Sequence, residues 1–492
     1  MTVPAPPSGH VSARIWLPGA LSFASLAAIG MVVAGPGLAI LIALGLTTIA
    51  VAVWMPGVVF AAYLLIPFYK GAIQPYLPID VTVLLAVLNA AQLIPFLRGR
   101  LNLMISRSGM LLWVALACLI LAGALYAPDQ ALAVSKVANW DALVFLPMLA
   151  AVRVGSNPRH VRQFLWTFFG FGLLVVVLGV AMLSTTQRLT LLGTNTIGVG
   201  RAALFVPLVG LTFVLYAGRR SLAAIAVALV PAAIVVELAS GSRGPLLVLL
   251  GIGFLGSVRY VIRPRSIDWG RTALLAGAVV ASAIVVSAVA VDLPGASTDR
   301  FLRFGEFVEG SFAGDEGAST VDTSAGSRVA LFVLAVDLFE ERPILGFGTA
   351  GYQALSPRYL PASQAEDYPH NTLLQFAAEF GVVGASLFVF LVALGLWRAL
   401  PAARTSSAIR ALFLFFLLNA MISGDIYTDR PTWGLLMLVL CIASQGLPDA
   451  DIVGAGVAPG SASGAGSRID LGSLALPAAI QSTRNLRPAR TE

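Results

Sequence analysis

The sequence predicts an all-α fold, a polytopic transmembrane helical bundle with one large external loop containing short helices. Hydrophobic residues make up 58% of the 492 and charged residues only 11%, with a mean hydropathy of +0.88. A soluble domain of this length carries far more charge, so the balance excludes one. Apolar runs close to the roughly 20 residues that a bilayer-spanning helix needs recur along the whole chain. In hydrocarbon every backbone N–H and C=O must find its partner within the element, so those runs are read as helices.

The elements follow in order. Residues 1–13 form a short Pro/Ser/Gly-rich cytoplasmic tail. A transmembrane array covers 14–291, with spans expected at 14–34, 37–54, 56–68, 80–97, 109–126, 132–152, 163–183, 197–217, 221–239, 244–258 and 272–291. The external loop occupies 292–371. The C-terminal spans at 372–397, 410–422 and 431–446 fill 372–446. The runs at 56–68 and 410–422 are short, as a re-entrant segment or one merged with a neighbour would be. The expected count is fourteen, or about twelve if short runs merge. From 447 to 492 the composition shifts to Gly, Ala, Ser and Pro, as in Gly454-Ala455-Gly456, and reads as a disordered cytoplasmic tail. The first span is long enough to stay in the membrane as an anchor, and no cleavable signal peptide is evident. No internal repeat is visible, which weakens a transporter built from inverted repeats.

The net charge of +7 is explained by topology. Arginines gather in alternate loops: Arg98, Arg100 and Arg107; Arg153, Arg159 and Arg162; Arg219 and Arg220; Arg259, Arg263, Arg265 and Arg271; Arg398, Arg404 and Arg410. Asp268 is the one acid among them. This positive-inside pattern puts both termini in the cytoplasm and leaves no nucleic-acid footprint. Alternation then places 293–371 outside, where eleven acids face five arginines. Cys118 and Cys441 fall in expected spans and read as small buried apolar residues.

Within the external loop, Val329, Phe332, Val333, Val336 and Phe339 share one stripe at helical spacing over 326–340. That helix either lies on the membrane surface or packs on the bundle. It stops before Pro343, and Gly346-Phe347-Gly348 reads as a flexible turn. Three arginines on the outer side are candidates for binding an anion. Arg243 sits in Ser240-Gly241-Ser242-Arg243-Gly244, where small residues open the backbone at a helix N-terminus and Ser242 adds a donor. Arg328 opens the external helix, and Arg201 lies near the outer end of its span, where snorkelling to lipid phosphate is an equal explanation. The chain has three histidines, and of these only His370 falls outside the cytoplasm. Its near-neutral imidazole suits a proton acceptor. A loop or helix-capping role is the alternative, with Asn371 competing for the cap.

One external histidine and no external cysteine give zinc too few ligands. Among Asp315, Glu316 and Asp322 a carboxylate-held magnesium or calcium stays open beside a simple solvated acidic loop. Asp141, Glu237 and Glu379 are the notable acids within spans, fewer than a proton-coupled transporter usually carries.

Taken together, Ser242-Arg243-Gly244, Gly326-Ser327-Arg328, Pro343-Ile344-Leu345-Gly346-Phe347-Gly348, Pro369-His370-Asn371, Leu374-Gln375 and Glu379-Phe380-Gly381-Val382-Val383-Gly384 resemble the O-antigen ligase/polymerase superfamily. The resemblance covers roughly 190–400, with its specific part at 240–384. It implies a bacterial inner-membrane glycosyltransferase acting on the outer face and using glycans carried on undecaprenyl diphosphate. The acceptor would be a glycan, a lipid or a protein, and no metal or cofactor is implied. Carried onto this sequence, the diphosphate falls to Arg243, Arg328 and Arg201, with Ser242 and Asn371 beside them. The catalytic set is His370, Arg243 and Arg328, with His370 activating the acceptor. A chain-length regulator or flippase is an expected partner. The alternatives are a transporter or flippase of lipid-linked oligosaccharides, or an assembly factor for envelope polysaccharide.

Overall fold

A computed structural model describes residues 54–94, 107–183, 189–216, 220–262, 323–361, 365–397 and 404–443. Among these residues the regular structure is helical, and no strand forms. The expected spans at 14–34, 37–54 (apart from Trp54) and 272–291, the acidic residues Asp315, Glu316 and Asp322, and both tails lie outside the described residues.

Several helix starts follow from a short polar side chain just before an apolar run. Helix α1 is Pro56–Leu65 and α2 is Val81–Ala91, whose first turn is capped by Asp80 accepting from the Thr82 N–H at 2.7 Å. After α3 (Arg107–Gly123), Asp129 caps α4 (Gln130–Gly155) through the Leu132 N–H. Asn157 caps α5 (Pro158–Ala181), whose first residue is a proline that needs no N–H partner. Asn195 caps α6 (Thr196–Ala203) in the same way. Each such cap is worth about 1 kcal/mol. There follow α7 (Phe205–Tyr216), α8 (Arg220–Ser240), α9 (Arg243–Ile262), α10 (Thr323–Glu341), α11 (Gly351–Tyr359), α12 (Thr372–Trp397), α13 (Arg404–Ser423) and α14 (Arg430–Ala443).

Among the described residues α4, α5 and α12 are long and apolar enough to cross a membrane. The expected short span at 56–68 has a physical cause. Pro67 cannot extend the hydrogen-bond ladder, and after Phe68 the chain bends by 88° into Lys70–Tyr76, giving a broken span or a re-entrant loop. Helix α4 carries a π-helical turn at Asp141–Phe145 and a proline at Pro147, so the expected span at 132–152 is a composite rather than one straight helix.

Two aromatic clusters hold the bundle. Phe68, Phe168, Phe205 and Phe416 join the end of α1 to α5, α7 and α13, with ring centroids 5.2–6.4 Å apart. Trp113, Trp140, Trp433, Phe376 and Phe388 do the same for α3, α4, α12 and α14. Such pairs contribute about 0.5–1.5 kcal/mol each beyond burial.

Helix α10 forms where its periodicity predicts, but its buried stripe is Leu331, Leu334, Ala335 and Leu338, packed with Tyr352, Leu355 and Ala378. Val329, Val333 and Val336 of the expected stripe are exposed. Both stripes are apolar, so the sequence could not say which one faces α12. The turn after α10 is pinned. Phe347 and Gly348 donate their N–H groups to the Ala378 and Glu379 carbonyls at 3.1 and 2.7 Å. Val382 returns its N–H to the Pro343 carbonyl at 2.7 Å. This exchange needs a break in α12, supplied by Gly381 at φ 61°, ψ −157°.

A Cβ on Gly381 would lie 2.3 Å from the Ile344 carbonyl carbon, and one on Gly346 2.4 Å from that of Glu379. Gly381→Ala and Gly346→Ala are each expected to lower stability by about 1–3 kcal/mol. Gly251→Ala, where a Cβ meets nothing within 4 Å, is expected to be neutral or slightly stabilising. Thermal unfolding of the three purified variants in detergent checks this.

Candidate active site

Four segments meet at one end of the bundle: the turn between α8 and α9, helix α6, the start of α12, and the loop Gly424–Asp429 between α13 and α14. Their contacts can be followed residue by residue. At Gly200 a Cβ would lie 2.9 Å from the Ser240 hydroxyl and 3.3 Å from the Ser242 Cβ, so α6 rests directly on the Ser240-Gly241-Ser242 turn. Gly241 takes φ 71° there, and the Ser242 N–H points to the Ser240 hydroxyl at 3.3 Å. The next residue of α6, Arg201, reaches the end of α13. Its Nε donates to Asn419 Oδ1 at 3.2 Å and its Nη2 to the Asn419 carbonyl at 3.5 Å. One residue on, the Ala420 carbonyl accepts from the Thr372 hydroxyl at the start of α12. Two residues before Thr372 stands His370.

His370 lies in a turn closed by Pro369 and adopts a left-handed backbone, φ 56°, uncommon outside glycine. Its Nε2 is 2.5 Å from Glu366 Oε2, and its ring meets that of Tyr368 edge-on at 4.5 Å. The imidazole is largely covered, at 14% exposure, while Glu366 is 46% exposed. Nδ1 is buried and has no hydrogen-bond partner. Asn371, not His370, caps α12, its Oδ1 accepting from the Leu374 N–H at 3.1 Å.

Tyr368 ties the histidine to the arginines. Burial pushes its phenol above the usual range; Asp425 and Glu366 push the same way, and Arg201 and Arg328 oppose them. Asp429 is likewise raised by burial, against the Thr432 hydroxyl and the charge of Arg201. Arg201, Arg328, Tyr368, Glu366, Asp425 and Asp429 therefore share one electrostatic neighbourhood beside His370. Arg243 is the first residue of α9, immediately after Ser242; its side chain lies outside the described residues.

Beneath the cluster a buried network fixes the Gly424–Asp429 loop. Gln375 Nε2 donates to Asp425 Oδ1 at 3.1 Å and to Glu379 Oε1 at 3.3 Å, while its Oε1 accepts from the Ile426 N–H. The Tyr427 hydroxyl donates to Glu379 Oε2, and the Ala350 N–H points to both. Glu237 of α8 is also fully buried, against Gly200. The Leu246 N–H in the first turn of α9 faces it, yet neither carboxyl oxygen meets hydrogen-bond geometry. Among the described residues no group of three or more His, Cys, Asp or Glu is placed to hold a metal ion.

The sequence reading missed Glu366, Tyr368, Asn419, Asp425 and Asp429 as site residues. Glu366 stands four residues before His370, a spacing that brings side chains together in a helix. Pro369 rules out a helix there, so the spacing carried no signal. Asp425 and Asp429 lie in a loop between two apolar runs and become neighbours of Arg201 only through tertiary packing.

The fold and site define a multi-pass helical membrane protein with a cluster of arginines and carboxylates and a carboxylate-bound histidine at one end of its bundle. Residues 232–389 match the family model described as Wzy_C, O-antigen ligase, which supports the O-antigen ligase/polymerase superfamily expected from the sequence. The matched segment contains the Ser240–Ser242 turn, α10 with Arg328, His370 and the α12 break. No curated protein matches the chain. The family implies an enzyme of glycan assembly acting on lipid-linked glycans and acceptors.

Gln375→Leu would strand the Ile426 N–H and leave Asp425 with one donor fewer in a buried setting. Its expected cost is on the order of 1–3 kcal/mol, read as a lower thermal midpoint in detergent.

Proposed function

We propose that this protein is a metal-independent membrane glycosyltransferase of surface polysaccharide biosynthesis. It takes a glycan from undecaprenyl diphosphate on the outer face of the cytoplasmic membrane and passes it to an acceptor hydroxyl. The observation that carries the reading is the convergence of Arg201 and Arg328 with His370 around Tyr368, in a segment that matches the O-antigen ligase family.

The chemistry follows from the leaving group. A sugar on a diphosphate needs little activation beyond neutralising the charge that grows on the departing oxygen. Fixed guanidinium groups supply this without reorganising. Arg201 suits the task because its hydrogen bonds go to the side-chain oxygen and the backbone carbonyl of Asn419, both neutral acceptors. Arg328 and the Ser242 hydroxyl extend the same anion site, Arg243 is assigned to it by the family resemblance, and Asn371 offers its amide Nδ2 while its oxygen serves as the cap. His370 takes the proton from the acceptor hydroxyl as that oxygen bonds to the anomeric carbon. The carbon–oxygen bond to the diphosphate breaks, and its electron pair leaves on the diphosphate. Attack opposite the leaving group inverts the anomeric centre. The polyprenyl tail stays in the bilayer, and a chain-length regulator or flippase partner is expected from the family resemblance.

Purified protein in liposomes with an undecaprenyl-diphosphate oligosaccharide tests the reading. Wild type should release undecaprenyl diphosphate. His370→Ala should lose roughly 10²–10⁴-fold in turnover, the usual worth of a general base, and Arg328→Ala and Arg243→Ala should also fall. Lengthened glycan without added acceptor identifies a polymerase, and transfer only to an added acceptor identifies a ligase. Movement of the lipid across the bilayer without turnover would refute the transferase and support a flippase.

A further inference from the structure

We propose that Glu366 is a positioning residue that holds His370 in the tautomer whose Nδ1, not Nε2, accepts the proton from the acceptor hydroxyl. This rests on the transferase reading above and deepens it.

The geometry gives each ring nitrogen a different task. Nε2 is 2.5 Å from Glu366 Oε2. A carboxylate can only accept, so Nε2 must carry the hydrogen, and in the neutral ring the lone pair then lies on Nδ1. Nδ1 is the nitrogen that is buried and has no partner in the protein. An unpaired acceptor in such a place costs free energy unless a ligand donor fills it, and an alcohol O–H is a fitting donor. The ring cannot easily turn to exchange the two nitrogens, because Tyr368 stands edge-on against it at 4.5 Å. The backbone adds a second restraint: His370 is held at φ 56° between Pro369 and the capped start of α12. Carboxylate, ring wall and left-handed backbone all fix one orientation and leave one nitrogen without a protein partner.

In the reaction Nδ1 gains the acceptor's proton and the imidazolium keeps its Nε2–H on Glu366, whose negative charge stabilises the cation formed. Glu366 touches neither substrate nor the bond that breaks, so its loss should act on the chemical step rather than on donor binding. Glu366 is 46% exposed, so its effect should be smaller than that of a buried orienting carboxylate, roughly 10- to 100-fold in kcat.

The test uses the full chain in liposomes with an undecaprenyl-diphosphate oligosaccharide and saturating acceptor. Glu366→Gln and Glu366→Ala should lower kcat by that factor while the donor KM stays within about twofold. Glu366→Asp should recover part of the loss. Added formate should restore Glu366→Ala but not His370→Ala, a response that a merely structural role for Glu366 would not give. Wild-type kcat in both Glu366→Gln and Glu366→Ala overturns the proposal while leaving the transferase intact. So does a raised donor KM with kcat unchanged, and so does a deficit that formate does not relieve. Absence of turnover in wild type with a competent donor overturns both readings.

Discussion

The arrangement depends on one backbone exchange. At Gly381 helix α12 breaks, and the carbonyls of Ala378 and Glu379 and the N–H of Val382 face outward in place of continuing the helix. The Pro343–Gly348 turn supplies their partners from outside the helix. In an apolar setting an unpaired backbone group costs several kcal/mol, so the break and the turn stabilise each other and neither is expected alone. Glycine is needed on both sides: Gly346 and Gly348 take φ of 64° and 84°, and the two backbones approach too closely for a Cβ. Through this joint α10, which begins beside the site, is coupled to α12, which begins one residue after Asn371.

The same joint seats Thr349 and Ala350 in the bundle. The Thr349 hydroxyl reaches the Ile120 carbonyl on α3, and the Ala350 N–H reaches Glu379 and Tyr427. From Glu379 the network runs through Gln375 to Asp425 and Ile426, so the position of the acidic loop is set by α12 itself. This end of the bundle thus rests on a Gln375–Glu379–Asp425 network whose donors and acceptors are matched, which favours one arrangement over many. The carboxylates of Asp425, Asp429 and Glu366 stand near the guanidiniums without forming a close ion pair with them among the described residues.

Some residues that define the family resemblance serve the joint rather than the chemistry. Pro343, Gly346, Gly348 and Gly381 hold two backbones together, and Gln375 and Glu379 anchor a loop. Others, namely Arg328, His370 and the Ser240–Ser242 turn, stand in the segments that meet at one end of the bundle. Sequence order shows them as one string and does not separate the two groups.

Composition, periodicity and side-chain chemistry alone determined the all-α membrane class, a helix at α10, the extent of α12 and the choice of His370 and the arginines as candidates. These are readable because hydrophobicity per residue and the chemistry of each side chain are local properties. What only the tertiary structure decided is which apolar stripe of α10 is buried, that Asn419 holds Arg201, and that Glu366 takes one nitrogen of His370. These relations join residues on different helices or across a proline turn, where spacing along the chain no longer fixes distance in space.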